Sequence, residues 1–487
     1  MNHIPAGMKI KKALLCYPPV GLFQRGEERC QADIEGSATQ APHAPNDLGY
    51  IAACLGRLGI ECLIRDYPAE GTSEAAALEH VKSYAPELVL ISTTTPTFPE
   101  DVRFLEKVKS ALPGTLTVAK GSCFCSLPLD ELQKDGYKTL DAAIYGESEF
   151  IIEDLARALA SGSRLDGISG IIINIGTKDA ARTARPQFRE DLDSLPFPAR
   201  GLMNNGLYRN PLTGRPMATI LVSRGCPSQC IFCLTPVISG HKFRKRSVGN
   251  VIDEIRDCVK NYGISDFFFR ADTFTMDNEY VKQLCGRILE EGLKITWVAN
   301  SRADVVDKDL LAVMNTAGCA LVAFGFESGN EYIQRKIKKN ASADDAHRAV
   351  KLCREARMKT LGFFMIGFPW DDEKTIKDTA ELVRELDCDF IEVHIALPFE
   401  GTELNDICRE LGLIKETSVG YNYFSNPYGG GTLHLGRERL VELRKDIIRM
   451  QYLRLSYIFR MLTNCGSFYE FMNYIKYGFR LLGKIAR

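Results

Sequence analysis

The sequence predicts an α/β protein of two successive parallel-sheet units, a doubly wound sheet and then an open six-strand βα barrel, with a helical extension after them. Three observations predict it. Short apolar runs alternate with helical patterns from Lys12 to about Ala160, and the same alternation restarts at Ala218. Between them, Asp191-Leu192-Asp193-Ser194-Leu195-Pro196-Phe197-Pro198 carries two prolines, which forbid helix and favour an extended strap. At 487 residues the chain exceeds one ordinary core, and the expected divisions are 1–160, a linker at 161–215, 216–410 and 411–487.

In the first unit the expected strands are Ala13 to Cys16, Glu61 to Arg65, Leu88 to Ser92, Leu116 to Ala119 and Ala142 to Tyr145, with helices at about 47–58, 73–84, 98–111 and 148–160. Right-handed crossovers then give a parallel sheet. In a flavodoxin-like order the ligand position lies beyond the first and third strands, which end at Tyr17-Pro18-Pro19 and Thr93-Thr94-Thr95-Pro96. The long aperiodic connection from Tyr17 to Asp47 carries Arg25, Glu27, Glu28, Arg29, Cys30 and His43, and reads as a lid or a solvated insertion. The linker holds one strand, Gly170 to Ile175.

In the second unit strands are expected at Thr219 to Val222, Asp266 to Arg270, Ile295 to Ala299, Ala320 to Phe326, Lys359 to Ile366 and Phe390 to Ala396. Active groups of βα barrels gather at the carboxyl ends of the strands. The formal net charge of −1 gives no general attraction to nucleic acid. Sixteen cysteines scattered through a long chain, with no signal peptide in Met1 to Lys12, indicate a reducing cytoplasm, and no apolar run is long enough to span a bilayer.

The most specific motif follows the first barrel strand. In Ser223-Arg224-Gly225-Cys226-Pro227-Ser228-Gln229-Cys230-Ile231-Phe232-Cys233 the cysteines are spaced C-x3-C-x2-C. Three thiolates suit a four-iron cube with one iron left open to a small molecule. Zinc would require paired C-x2-C knuckles or a ligating histidine, and only His241 is near. The competing reading is three unrelated buried cysteines.

Cys226, Cys230 and Cys233, with Phe232 before the last, resemble the signature of the radical S-adenosylmethionine (SAM) enzymes. In that family SAM chelates the open iron of a [4Fe-4S] cluster, and one-electron reduction splits it into methionine and a 5'-deoxyadenosyl radical. The resemblance implies that Asp272 lies near the SAM amino group, Arg302 near its carboxylate, Glu327 with Ser328 near the ribose, and Gly367 and the backbone of Phe232 against the rest of SAM. Read as an isolated acid at a strand end, Asp272 would instead cap the helix beginning near Asp277. Glu392 and His394, on one face of the last strand, are candidate substrate contacts.

Leu14-Leu15-Cys16-Tyr17-Pro18-Pro19, Leu48-Gly49-Tyr50-Ile51-Ala52-Ala53, Ser92-Thr93-Thr94-Thr95-Pro96-Thr97-Phe98-Pro99 and Tyr145-Gly146-Glu147 resemble the cobalamin-binding domain that precedes the barrel in one large radical SAM subfamily. The resemblance implies cobalamin contacts at Pro18, Ser92, Thr94, Gly121, Gly146 and Glu147, although the D-x-H-x-x-G pattern of classical cobalamin proteins is absent. The implied activity is cobalamin-dependent methylation of an unactivated carbon, on a small-molecule or lipid-like substrate, with an electron donor such as flavodoxin or ferredoxin and no nucleic-acid partner. Radical cyclisation or rearrangement, methylthio transfer, and a non-catalytic iron–sulfur or corrinoid carrier are the alternatives. Arg437 to Arg487 holds eleven Lys/Arg against four Asp/Glu, interleaved with aromatics. This tail reads as a cap on the barrel or as a peripheral contact with the inner face of a membrane.

Overall fold

The computed structural model describes residues 8–25, 34, 41–125, 127–414 and 431–485, with side chains through 480. Strands β1 (Lys12–Tyr17), β2 (Glu61–Asp66), β3 (Leu88–Ser92), β4 (Leu116–Lys120) and β5 (Ala142–Ile144) run parallel in the order β2-β1-β3-β4-β5. The order reverses between β1 and β3, as expected. Side-chain alternation sorts the core into two layers. Ala13, Leu15 and Tyr17 pack with Leu48, Ile51 and Leu55 on one face, and Leu14 and Cys16 pack with Val102, Leu105 and Val108 on the other.

The sheet continues past β5. Strands β6 (Ile171–Ile173) and β7 (Ala181–Arg182) add antiparallel to its edge, so the strand expected within the linker is part of the first sheet. The reason is local: β5 is short and fully buried, and three β-branched isoleucines cover an edge that would otherwise be open. The rest of the strap is tied to both units: the Tyr208 hydroxyl donates to Asp66 of β2 (3.0 Å), and Arg200 reaches the second unit. Arg200 donates to Glu254 (2.6 Å) and to the Thr219 carbonyl (2.8 Å), and Arg246 closes a buried triad on the other Glu254 oxygen.

Strand β8 (Met217–Leu221) opens the barrel. A two-stranded antiparallel pair, β9 (Ser223–Arg224) and β10 (Arg244–Lys245), then brackets the three-cysteine loop. The remaining barrel strands are β11 (Asp266–Arg270), β12 (Thr296–Ser301), β13 (Cys319–Glu327), β14 (Lys359–Ile366) and β15 (Phe390–Ile395), all parallel in the order β8-β11-β12-β13-β14-β15. β8 and β15 are the two edges, so the barrel is open and every carboxyl end faces the same way. In β12, β14 and β15 alternate residues such as Trp297, Phe364 and Val393 are buried in the layer beneath the helices. Val298, Asn300, Phe363, Met365, Glu392 and His394 are half-buried and lie on the opposite, concave face.

The tail forms helices Arg437–Tyr452, Leu455–Thr463 and Phe468–Ile485. Leu440 and Ile447 of the first join the barrel core. No helix among the described residues is long and apolar enough to cross a membrane.

Candidate active site

The three-cysteine loop is closed by backbone conformation and by one carboxylate. Gly225 has φ +83°, and a Cβ there would stand 2.1 Å from the Lys242 carbonyl oxygen, so only glycine fits. The Gly225 amide donates to Asp272 Oδ2 (2.6 Å) and the Thr235 hydroxyl donates to Oδ1 (3.2 Å), which ties both ends of the loop to the segment after β11. Asp272 is therefore no helix cap; Asp277 takes that role, accepting from the Tyr280 amide at 3.0 Å. Cys226, Cys230 and Cys233 are half-buried, unlike the buried core cysteines Cys258, Cys285, Cys319 and Cys353. The Thr235 amide donates to the Cys233 sulfur at 3.4 Å. The Phe232 ring leans on Phe368, 5.7 Å between centroids.

Cations stand beside this loop. Arg302 reaches Ser228 Oγ within it (3.3 Å), holds both oxygens of Asp304 (2.9 and 2.7 Å) and donates to the Lys339 carbonyl (2.8 Å). The Lys339 ammonium donates to Glu327 Oε1 at 2.8 Å, and both side chains are buried. Glu327 sits at φ +62°, and Lys338 and Asn340, on either side of Lys339, are also left-handed. Three strained non-glycine residues thus surround one ion pair, a concentration typical of functional sites. Burial pushes the Cys230 thiol up to about 11, against the opposing pull of Lys339 and Arg302. Lys339 has no motif around it and was not foreseen from sequence.

The other expected SAM contacts divide between two places. Ser328 turns its hydroxyl to Thr379 (3.2 Å) and accepts from the Asn330 amide, shaping the loop after β13. Gly367, at φ +86°, donates its amide to Asp371 (2.8 Å) and borders a small recess lined by Ile395, Ala396, Leu404, Cys408, Arg437 and Leu440. On the concave face His394 Nε2 lies 3.2 Å from Glu392 Oε2, beside the Phe363 ring.

At the carboxyl end of the first sheet, Asp47 is the hub. Tyr17 and Ser92 donate to it at 2.6 and 2.8 Å, and Lys120 lies 2.7 Å away, all deeply buried. Burial opposes ionisation of Asp47, but the Lys120 charge and the three hydrogen bonds outweigh it and hold the carboxyl below its usual range. Of the expected cobalamin contacts, Ser92 belongs to this hub. Thr94 shares a hydrogen bond with Thr97, and Gly121 fits against the Thr93 carbonyl, where a Cβ would stand at 2.5 Å. Gly146 packs on Pro186 at φ +97°, and the carbonyl of the buried Pro18 accepts from the Val20 amide. Arg25 forks onto Asp101 (2.7 and 3.1 Å) and reaches the Ser92 carbonyl, anchoring the start of the long connection. Glu27, Glu28, Arg29 and Cys30 lie outside the described residues, while the His43 ring meets Phe268 of the barrel at 5.4 Å.

The two units face each other across a narrow cleft, lined by Asp47, Lys120, Glu147 and Glu149 on one side and Ser223, Arg224, Thr235 and Asp272 on the other. Arg244 forks onto Glu147 at 3.0 and 2.7 Å, and Arg224 reaches both Glu147 (3.2 Å) and Glu149. The Asp47–Lys120 pair was also missed from sequence. Its only local signal is a lysine ending the apolar run Leu116-Thr117-Val118-Ala119-Lys120.

The donor set fits an iron–sulfur cluster. Three half-buried thiols share one fixed turn, and two cations stand by to balance thiolate charge. The Radical SAM superfamily pattern matches residues 220–383, which run from β8 into the helix after β14. An uncharacterized methyltransferase of Pyrococcus horikoshii is 30% identical over 397 residues, 82% of this chain and 83% of that protein. The cytidylyl-2-hydroxyethylphosphonate methyltransferase of Streptomyces wedmorensis is 26% identical over 463 residues, 84% of each chain. The structure of the cobalamin-dependent SAM radical enzyme OxsB, with aqua-cobalamin and SAM bound, covers 98% of this chain and 71% of its own with a TM-score of 0.73; at 14% identity it shows a shared fold. With its cysteine loop at the carboxyl end of an open six-strand barrel and a relative matched along four-fifths of its length, the chain belongs to the radical SAM superfamily and is a radical SAM enzyme.

Proposed function

We propose that the protein is a cobalamin-dependent radical SAM methyltransferase that alkylates an unactivated carbon of a small molecule, working in the cytoplasm with a flavodoxin- or ferredoxin-type electron donor. The observation that carries the proposal is the cleft. It joins the switch point of the first sheet to the three-cysteine loop of the barrel, so a ligand held on one side reaches chemistry begun on the other. The methyltransferase names of the two relatives, each matched over more than four-fifths of its length, support the same reading.

When bound, the cluster with SAM supplies a 5'-deoxyadenosyl radical and cobalamin supplies a transferable methyl group. The division of labour assigns cobalamin to the first sheet unit, expected at 1–160 and extended by β6 and β7, the strap to the remainder of 161–215, radical chemistry to 216–410 and the helical extension to 411–487. Cys226, Cys230 and Cys233 hold the cluster, and Asp272 fixes their loop. Arg302 and Glu327 take the SAM carboxylate and ribose, Ser328 shapes the ribose loop, and Gly367 with Phe232 takes the apolar side of SAM. Ser92 and Glu147 border the corrin side of the cleft, with Pro18, Thr94, Gly121 and Gly146 shaping the loops around it. Glu392 and His394 meet substrate on the concave face. Closure of the cleft by the Arg224 and Arg244 ion pairs keeps bulk water from the reacting carbon.

The test is anaerobic reconstitution, reduction with SAM, with and without hydroxocobalamin, and quantification of 5'-deoxyadenosine and S-adenosylhomocysteine by mass spectrometry. Both products, with S-adenosylhomocysteine dependent on cobalamin, are expected. Deoxyadenosine alone replaces methylation with cyclisation or rearrangement. Neither product from cluster-loaded protein leaves a carrier.

A further inference from the structure

The last two helices are amphipathic in the inverted sense. Four of their polar side chains point into the protein: Tyr457 donates to the Asp389 carbonyl (2.7 Å), Arg460 to the Asp389 carboxylate (2.9 Å) and Asn473 to the Pro211 carbonyl (3.0 Å), and Glu470 is buried against Lys359. Their apolar side chains point out. Leu455 is 82% exposed, Phe459 71%, Phe468 78% and Phe479 71%, with Ile458 and Met472 also exposed.

The outward residues are helically spaced. Leu455, Ile458, Phe459 and Leu462 recur at i, i+3, i+4 and i+7, and Phe468, Met472, Ile475 and Phe479 at i, i+4, i+7 and i+11. A face this large and apolar marks an interaction surface. Its charge selects the partner. Beyond Asp446 the one acid is Glu470, which is turned inward, while Lys476 and Arg480 follow the outward stripe and the sequence continues with Lys484 and Arg487. A second copy docking on this face by two-fold symmetry would set like charges against each other. An anionic bilayer pairs with both features: apolar side chains enter the acyl boundary and the cations meet headgroups.

We propose that helices Leu455–Thr463 and Phe468–Ile485 form a docking surface for an anionic lipid bilayer, holding the enzyme peripherally without crossing the membrane. This surface is separate from the cleft and stands whether or not the methyl-transfer reading does.

The experiment is flotation of the full chain with vesicles of phosphatidylcholine alone and with vesicles in which a third of the lipid is phosphatidylglycerol. Binding to the second kind is expected, weaker in high salt. It should fall about tenfold or more in Leu455→Ser/Phe459→Ser and in Lys476→Glu/Arg480→Glu. Reductive SAM cleavage in solution should equal that of the parent, since these side chains touch no part of the site. Failure to float with either vesicle overturns the proposal, as does flotation that the substitutions leave unchanged. Concentration-dependent dimerisation abolished by the same substitutions assigns the face to a second copy instead.

Discussion

The Arg224 guanidinium, two residues ahead of Cys226, is ion-paired with Glu149 at the head of helix Ser148–Ser161, so the cysteine loop of the barrel is bonded directly to the first sheet unit. Both partners are deeply buried. Burial alone would raise the Glu149 carboxyl, but the Arg224 charge and hydrogen bond hold it below its ordinary value. Arg224→Met leaves that carboxylate buried without its main cation, and a loss of about 3 to 5 kcal/mol is expected. The double substitution Arg224→Met/Glu149→Met should recover most of it. Denaturant unfolding of the three proteins checks this; equal losses in single and double variants would show that the pair contributes little.

Gly225 predicts a different failure. Alanine there meets the Lys242 carbonyl and keeps a left-handed φ at a cost of about 1 kcal/mol before any clash. The outer strands can stay folded while the loop moves, because Asp272 and not Gly225 carries the side-chain contacts. Gly225→Ala should therefore keep its circular dichroism spectrum but bind well under the about four irons per chain of an intact cluster. Full iron loading would contradict the geometric argument.

Asp66 gives a pH dependence away from the cluster. It accepts from Tyr208 (3.0 Å) and from the Ala69 amide, yet burial dominates and raises its carboxyl from 3.8 to about 6. Because the folded value lies above the unfolded one, the native state binds more protons between them, and this group makes stability fall as pH rises through that window and level off above it. The swing is about 3 kcal/mol. Asp371, also raised to about 6 by burial, titrates in the same range. Asp66→Asn can still accept from the Ala69 amide and can donate to the Tyr208 oxygen, and it should remove its share of the slope, measured by urea unfolding of the cluster-free chain between pH about 4 and about 7.

These residues also show where the sequence is informative. Strand positions are legible because period-two burial and β-branched runs are local properties, and eleven parallel strands follow from them and from the crossover rule. The cysteine triad is legible because its spacing is itself the geometry. The strand at Ile171–Ile173 is legible too, but not its place in the first sheet, because three isoleucines record burial and not the edge they cover. The Asp47–Lys120 and Glu327–Lys339 pairs join distant elements, and apart from the apolar run that Lys120 ends, nothing near either lysine distinguishes it from a solvated one. Asp272 was legible as an acid at a strand end, while its bonds to Gly225 and Thr235 needed the fold.

The Glu327–Lys339 pair separates a ligand contact from a structural bond. Glu327→Gln keeps the shape but leaves the Lys339 ammonium without a carboxylate, and Lys339→Met leaves Glu327 buried and unpaired. If Glu327 only stabilises Lys339, the double variant Glu327→Gln/Lys339→Met restores both stability and SAM binding. If Glu327 takes the SAM ribose, stability returns but the apparent KM for SAM stays raised by about tenfold or more, the loss expected when one charged hydrogen bond is removed. We expect the second result, because a left-handed glutamate flanked in space by left-handed Lys338 and Asn340 costs more strain than a merely structural pair requires. Iron content and the electron paramagnetic resonance of the reduced cluster should match the parent in all three variants, which keeps a change in SAM binding distinct from loss of the cluster.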